Sequence, residues 1–148
     1  MEDAPKLMIR DQKPSDLSFL HSCFYHGRKK DGLRHGLNYR DLHLISKRLM
    51  EAFLADPTVR FYVATPGDDH DLIAGVMVTQ GRELLWHYTR LSMRGYDVDM
   101  DLARAAFGAS GAVKVVFNDE PLTDRLAALG YTATWEPVPY GQQATLAR

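Results

Sequence analysis

The sequence predicts an α/β fold in which helices flank a mixed, mostly antiparallel sheet. The order of elements gives this prediction: a strand, two helices, three strands, a helix, a strand, a helix and closing strands. The chain has 148 residues, 45% hydrophobic and 25% charged, which is ordinary for a soluble globular protein. This length suits one core. We therefore predict a single domain over residues 1–148.

The first part of the chain predicts one strand and two helices. Residues 6–12 favour a strand, and Pro14 suits the first turn of a helix. Residues 38–57 predict a strongly amphipathic helix, because apolar side chains recur there at helical spacing. Between the helices, residues 26–35 contain two glycines and predict a mobile loop. That segment is basic through Arg28, Lys29, Lys30 and Arg34.

The hydrophobic period then changes from helical to alternating. Residues 58–65, 72–80 and 83–91 predict three strands joined by short turns, which favours an antiparallel meander. The Ala-rich segment 100–107 predicts a helix.

The last part of the chain predicts a strand, a helix and two closing strands. The apolar run 112–118 predicts a strand buried on both faces. A short helix follows from Pro121 to Gly130, and residues 132–138 and 142–147 are candidates for the closing strands.

Bulk properties limit the classes of partner. The net charge is −1, which makes nucleic acid an unlikely partner. The single cysteine, Cys23, excludes a disulfide within the chain and suits a reducing compartment. No apolar run is long enough to span a bilayer, and the N-terminus lacks the features of a signal peptide. We expect a cytoplasmic protein without a membrane partner.

The stretch before the third helix carries the most specific signal. Its sequence is Arg94, Gly95, Tyr96, Asp97, Val98, Asp99, and it resembles a phosphate-binding turn of the GNAT superfamily, the Gcn5-related N-acetyltransferases. The family turn is roughly Arg-x-x-Gly-x-Gly/Ala, so Asp97 and Asp99 stand where glycines are expected. The later segment "NDEPLTDRLAALGY" resembles the late helix of that family, and the order of elements agrees over nearly the whole chain.

The resemblance implies an acetyl-CoA site at the start of this helix. Backbone N–H groups there would hold the pyrophosphate, assisted by the helix dipole. Arg94 is the side chain best suited to an anion. The aspartates oppose this use, because carboxylates repel phosphates and aspartate side chains are good caps that occupy the same N–H groups. The implied cofactor-binding positions are Leu91, Arg94, Gly95, Tyr96, Asp97, Val98 and Asp99.

An acetyltransferase also needs a base and an acid. Along the strand 83–91, strict alternation places Glu83 and His87 on one face, and either is a candidate base. The family commonly uses a tyrosine on the late helix as the acid. The equivalent position here is near Leu126, so the usual acid is missing, and Tyr140 lies in a predicted loop.

We carry three functional hypotheses from the sequence. The preferred one is a GNAT-like protein with a degenerate acetyl-CoA motif that acts as a non-catalytic binding or structural module, with a protein partner or a second copy as ligand. Some small phage-encoded proteins resemble this family in degenerate form, which adds a virion as a location. The alternative is an active N-acetyltransferase on a small-molecule or protein amine. A nucleic-acid-contacting relative is disfavoured, and no metal site is expected.

Overall fold

The structure is a computed structural model that describes residues 6–34, 36–116 and 120–136. Two compact units are distinguished among these residues: one comprises those up to Gln12 and from Arg60 onwards, and the other those between Lys13 and Val59. The strands are β1 (Leu7–Asp11), β2 (Val59–Pro66), β3 (Gly75–Gln80), β4 (Glu83–Thr89), β5 (Gly111–Val115) and β6 (Tyr131–Trp135). The α-helices are α1 (Leu17–Arg34), α2 (Tyr39–Ala55), α3 (Val98–Phe107) and α4 (Glu120–Ala128), and short 3₁₀ turns span Pro14–Asp16 and Leu91–Tyr96.

The six strands form one mixed sheet in the order β1-β2-β3-β4-β5-β6. β1 pairs with β2 and β3 pairs with β4 in antiparallel fashion, whereas β5 is parallel to both β4 and β6. The predicted fold class, a mixed and mostly antiparallel sheet flanked by helices, is confirmed. That residues 1–148 form a single domain stays a prediction.

The sheet unit has its core between the strands, α3 and α4. Fully buried side chains from α3, such as Val98 and Leu102, contact the same apolar cluster as Leu122 and Leu126 of α4. Burial of such side chains stabilises the fold by about 1.5–3 kcal/mol each. This packing fixes the start of α3 next to the side of α4, which is the feature on which the site depends.

The helical unit is built from α1 and α2. The Asn38 side chain accepts a hydrogen bond of 2.8 Å from the Asp41 N–H and so caps α2. Leu42 and Leu49 are buried, as the amphipathic pattern predicts. The rings of Phe24 and Phe53 meet edge to face at 6.0 Å. The helices therefore form an α-helical hairpin.

The prediction of a loop over residues 26–35 is wrong, because α1 continues to Arg34. A glycine inside a helix costs about 1 kcal/mol relative to alanine. Side-chain contacts offset that cost here. The Arg28 guanidinium lies 4.8 Å from the Phe24 ring centre, and the Lys29 ammonium lies 5.1 Å from the Tyr39 ring centre.

Some predictions fall at or beyond the edges of what is described. The strand predicted over residues 72–80 begins at Gly75. The candidate strand 142–147 and Tyr140 lie outside the described residues, as does the end of the predicted strand 112–118. No helix in the described ranges is both long and apolar enough to cross a bilayer.

Candidate functional site

The described part of β5 pairs with β4 over two positions. The register joins Glu83 to Lys114 and Leu84 to Val115, and the Val116 N–H then donates to the Leu84 carbonyl at 3.2 Å. Within residues 111–116, β5 makes no pairing with β4 beyond Leu84. Beyond Leu84, the second half of β4 therefore has no ladder partner on its β5 side among the described residues, and we name this edge of β4 the opening.

A β-bulge at Leu85 changes the direction of the side chains along β4. Leu84 faces Thr79 on β3, and Trp86 faces Val78, so Leu85 has no partner on β3. Partners across a ladder share a face, whereas Val78 and Thr79 are neighbours and point to opposite faces. Leu84 and Trp86 therefore lie on opposite faces, which strict alternation does not allow.

The bulge makes the predicted common face of Glu83 and His87 wrong. Glu83 faces Gln80 and therefore shares a face with Trp86. His87 faces Met77 and lies on the other face of the sheet. α3 covers the His87 face, because a Cβ added to Gly75 would lie 2.8 Å from Val98 Cγ1. Glu83 and His87 are thus not brought together, and a role for either as a base stays a prediction.

Glu83 belongs to a surface ion-pair network at the paired end of β4 and β5. The Lys114 Nζ lies 3.8 Å from Glu83 Oε1 and 3.2 Å from Glu136 Oε2. The hydrogen bond to Glu136 is the largest cause that raises the pKa of the Lys114 ammonium above its ordinary value, followed by the charges of Glu136 and Glu83. Glu83 is therefore engaged in holding the strands together.

The backbone of β4 presents polar groups to the opening. The Arg90 N–H donates to the Ala74 carbonyl at 2.8 Å, so the backbone N–H groups of the even-numbered residues after the bulge point towards β3. Since N–H groups alternate along a strand, those of His87 and Thr89 point to the β5 side. The Arg94 Nε donates to the Thr89 carbonyl at 3.2 Å and so places its guanidinium at this end of the strand.

The turn between β4 and α3 keeps a backbone suited to glycine. Asp97 has φ 54° and ψ 35°, and it is the one non-glycine residue with positive φ in the described ranges. Glycine adopts this conformation without strain, whereas other residues rarely do. Leu91 and Tyr96 are exposed by 75% and 37%. The predicted cofactor-binding turn is therefore open to solvent.

The start of α3 is only partly capped. The Asp97 carbonyl accepts from the Met100 and Asp101 N–H groups at 3.0 and 3.2 Å, whereas its side chain makes no capping hydrogen bond. The prediction that both aspartate side chains cap the helix is wrong for Asp97, because its carboxylate turns towards α4. Asp99 Oδ1 does accept from the Met100 N–H at 3.0 Å. The N–H groups of Val98 and Asp99 find no partner in the described part of the chain.

Arg125 of α4 pairs with both carboxylates at the start of α3. Its Nη1 and Nη2 atoms donate to the two oxygens of Asp99 as a fork, with Nη2 at 3.0 Å from Oδ1. Nη2 also lies 3.3 Å from Asp97 Oδ1. The Asp99 side chain is 6% exposed, whereas those of Arg125 and Asp97 are 47% and 76% exposed. A bidentate pair with one buried partner is a strong and directional contact.

Sequence reasoning missed Arg125, and one signal was available for it. Three aspartates occur within five residues, at 97, 99 and 101. Arg104 lies one turn after Asp101 and pairs with it at 3.3 Å. The other two carboxylates then need a cation from a distant segment. The predicted late helix contains one arginine, Arg125.

The acid position on the late helix is closed. Leu126, the position implied for the tyrosine, is fully buried in the core. Tyr131 is 4% exposed and donates through its hydroxyl to the Gly108 carbonyl, so it fixes the end of α3. Neither residue reaches the opening beside β4 with a proton to give.

The combined site is polar, and its two carboxylates outnumber their one arginine. The backbone N–H groups of Val98 and Asp99 at the start of α3 would by themselves suit an anion. The side chains at the start of α3 oppose such an anion, since Asp97 and Asp99 already occupy the positive end of the helix. The backbone at the start of α3 thus favours an anion, whereas the Asp97 and Asp99 carboxylates disfavour one.

Comparisons with known proteins identify no family. No protein-family profile and no curated protein matches the chain. Among solved structures, the chain is similar to a possible acetyltransferase from Clostridium difficile 630, with a TM-score of 0.48 and 14% identity. The match covers 90% of this chain and 79% of that one. A likeness of this size assigns neither a family nor a reaction, so function must be argued from the site.

Proposed function

We propose that this chain is a GNAT-like protein that has lost ordinary acetyl-CoA chemistry and acts as a non-catalytic binding module. One observation supports the proposal above all others: Arg125 pairs with Asp99 and Asp97 at the start of α3. The Asp97 and Asp99 carboxylates take up the positive charge of Arg125 that a bound phosphate would otherwise contact. A protein partner or a second copy of the chain is the expected ligand, in the cytoplasm or in a virion.

Two costs separate this site from a working phosphate cradle. A phosphate at the Val98 and Asp99 N–H groups would lie beside two carboxylates, and like charges in contact repel strongly. Moving the Asp99 carboxylate away would break its fork with Arg125 and leave Arg125 without that partner. The Arg125 side chain is 47% exposed, so water replaces part of the lost contact and the cost is about 1 kcal/mol.

The alternative function is an active N-acetyltransferase, and one observation favours it. The opening beside β4 and the positive φ of Asp97 preserve a backbone on which an amide-containing arm and an anion would fit. Of the two candidate bases, Glu83 is paired with Lys114, which leaves the His87 imidazole as the candidate in this alternative. This alternative requires that the phosphates of acetyl-CoA displace the carboxylates from Arg125.

Calorimetry with acetyl-CoA separates the two functions. We expect no binding by the wild type in the micromolar range. The double variant Asp97→Gly/Asp99→Gly removes both carboxylates, leaves Arg125 near the helix start and permits the positive φ. We expect this variant to bind acetyl-CoA, provided that circular dichroism shows a folded chain.

Two further variants identify the cause. Asp97→Asn/Asp99→Asn keeps the side-chain volume and removes the charge, so binding by this variant would assign the block to charge. Asp101→Asn is the matched control, because it removes an acid from the same helical turn that pairs with Arg104 instead. Micromolar binding by the wild type would contradict the proposal and favour the acetyltransferase.

A further inference from the structure

The near-neutral charge of the whole chain hides an asymmetry. Residues 13–59 contain eight Lys and Arg against five Asp and Glu, a formal charge of +3 in a chain whose net charge is −1. Four of the six histidines lie in the same segment. The cationic charge is therefore concentrated in the α1–α2 hairpin.

Two rows of side chains meet along this hairpin. On α2, Tyr39, His43 and Lys47 follow one another at intervals of four residues and share a helix face. On α1, Tyr25 and Lys29 have the same spacing, and the two rows run in opposite directions. The rings of Tyr25 and His43 meet at 5.0 Å, and the Lys29 ammonium lies 5.1 Å from the Tyr39 ring centre.

The antiparallel register extends the pattern by one more pair. His21 precedes Tyr25 by four residues and lies in register with Lys47. Each row thus contributes one histidine, one tyrosine and one lysine, and the six side chains include no carboxylate. We name this surface the hairpin stripe, and it consists of His21, Tyr25, Lys29, Tyr39, His43 and Lys47.

The hairpin stripe is accessible to a ligand. Tyr39 is 55% exposed, and His43 and Lys47 are also exposed. The exposed Arg40 and Arg48 follow Tyr39 and Lys47 directly and widen the cationic surface. Glu51 comes one turn after Lys47 and marks the end of the stretch.

We propose that the hairpin stripe binds single-stranded nucleic acid. Cations along a row attract phosphates, and exposed aromatic rings beside them stack on bases in a sequence-tolerant way. The row from Tyr39 to Lys47 is about 12 Å long, from about 1.5 Å per helical residue. With about 3.4 Å per nucleotide in a stacked strand, it spans three to four nucleotides. An acidic polypeptide would use the cations but has no use for the interleaved rings.

This inference is independent of the state of the α3 start, because none of its residues belongs to the sheet unit. It also differs from the expectation drawn from total charge, which averages over both units. Loss of acetyl-CoA binding therefore leaves it intact, and failure of nucleic-acid binding leaves the proposed function intact.

Fluorescence anisotropy of a labelled oligothymidylate of about 20 nucleotides, long enough for several such sites, tests the proposal on the full chain. We expect binding at about 50 mM salt that weakens steeply at about 200 mM. Lys29→Gln/Lys47→Gln should weaken binding at least about tenfold and reduce the slope of log K against log salt by about 1.4, from about 0.7 per phosphate contact. Arg104→Gln/Lys114→Gln removes two cations from the sheet unit and should behave as the wild type.

Tyr39→Leu distinguishes base stacking from charge alone. It should weaken oligothymidylate binding about fivefold or more while leaving binding to heparin, a polyanion without bases, unchanged. Absence of oligothymidylate binding by the wild type at about 50 mM salt would overturn the proposal. Equal weakening of binding by Lys29→Gln/Lys47→Gln and by Arg104→Gln/Lys114→Gln would also overturn it. Polyglutamate that competes as well as oligothymidylate, with no effect of Tyr39→Leu, would assign the surface to an acidic protein instead.

Discussion

The two ends of α3 are each held by an arginine from another element, yet they use that arginine in opposite ways. At the C-terminal end, Arg82 donates directly to the carbonyls of Phe107, Ser110 and Ala112, which complements the negative end of the helix dipole. At the N-terminal end, carboxylates complement the positive end, and Arg125 pairs with those carboxylates. The C-terminal end is thus complemented by the arginine itself, whereas the N-terminal end is complemented by carboxylates that in turn need an arginine.

This difference shows what the N-terminal end has become. An arginine on carbonyls is an ordinary structural contact and leaves no ligand site behind. Two acids and one cation lie beside the Val98 and Asp99 N–H groups, which have no partner among the described residues, and together they substitute for an anion. Gly111 adds to the contrast, because its φ of +114° favours glycine and a Cβ there, 2.6 Å from Arg82 Nη2, would shift the guanidinium. At the N-terminal end, the positions implied for glycine carry acids.

The largest expected effect comes from breaking the N-terminal contact. Arg125→Ala leaves the Asp99 carboxylate buried without its cation, so we expect it to lower the free energy of unfolding by about 3 kcal/mol. Urea denaturation measures this change. In a double-mutant cycle, Arg125→Ala/Asp99→Ala should cost less than the sum of the single variants, by about 1–3 kcal/mol. Additive costs would show that the two side chains do not interact.

Breaking the C-terminal contact should have the next largest effect. Arg82→Ala removes three hydrogen bonds to carbonyls and the contact with the Phe107 ring, whose centre lies 5.6 Å from the guanidinium carbon. We expect a loss of about 2 kcal/mol, because solvent replaces part of these contacts at an exposed arginine. Arg82→Lys should recover only part of the loss, since one ammonium cannot reproduce the fork. A loss larger than that of Arg125→Ala would reverse the ranking of the two ends.

A third change tests how closely the N-terminal half of α3 is seated on β3. In Gly75→Ala the new Cβ would lie 2.8 Å from Val98 Cγ1 and 2.9 Å from the Tyr88 carbonyl oxygen. We expect destabilisation of about 1–2 kcal/mol from this overpacking. Gly95→Ala is the matched control in the turn, where a Cβ meets no atom within 4 Å among the described residues. Equal melting temperatures for the two variants would contradict the packing described here.

The smallest effect concerns the exposed ion pairs of Lys114, which contrast with the half-buried pair of Arg125. Glu136 and Glu83 raise the pKa of Lys114 above its ordinary value of 10.5. A raised pKa means that this stabilisation is complete below the ordinary value and is lost as pH rises through the folded-state pKa. NMR titration of the Lys114 ammonium in wild type and Glu136→Gln measures the shift. An unchanged pKa in the variant would remove Glu136 as its main cause.

Elements were predictable where local pattern and packing agree. The helix α2 is an example, because Asn38 caps it and Leu42 and Leu49 recur at helical spacing on a buried face. The extension of α1 through Gly27 was not predictable from local propensity, since the stabilising contact of Lys29 with Tyr39 comes from the next helix. Tertiary contacts of this kind override a weak local preference.

The site was predictable in place but not in arrangement. The resemblance located the turn around Asp97, and the structure puts that turn at the start of α3. The bulge at Leu85 was not predictable, because a bulge adds one residue without requiring a special residue type. That single residue separates Glu83 from His87 across the sheet. Arg125 escaped prediction since it reaches Asp99 across 26 positions of the chain.

The most direct measurement is an NMR titration of ¹⁵N-labelled wild type with acetyl-CoA to millimolar concentration. We predict no chemical-shift change at the backbone amides of Val98, Asp99 and Met100, because the carboxylates and Arg125 hold the start of α3 closed to phosphates. Saturable shifts at these amides, accompanied by shifts at His87 and Thr89 on β4, would contradict it. They would show that acetyl-CoA enters the opening and displaces the internal ion pairs.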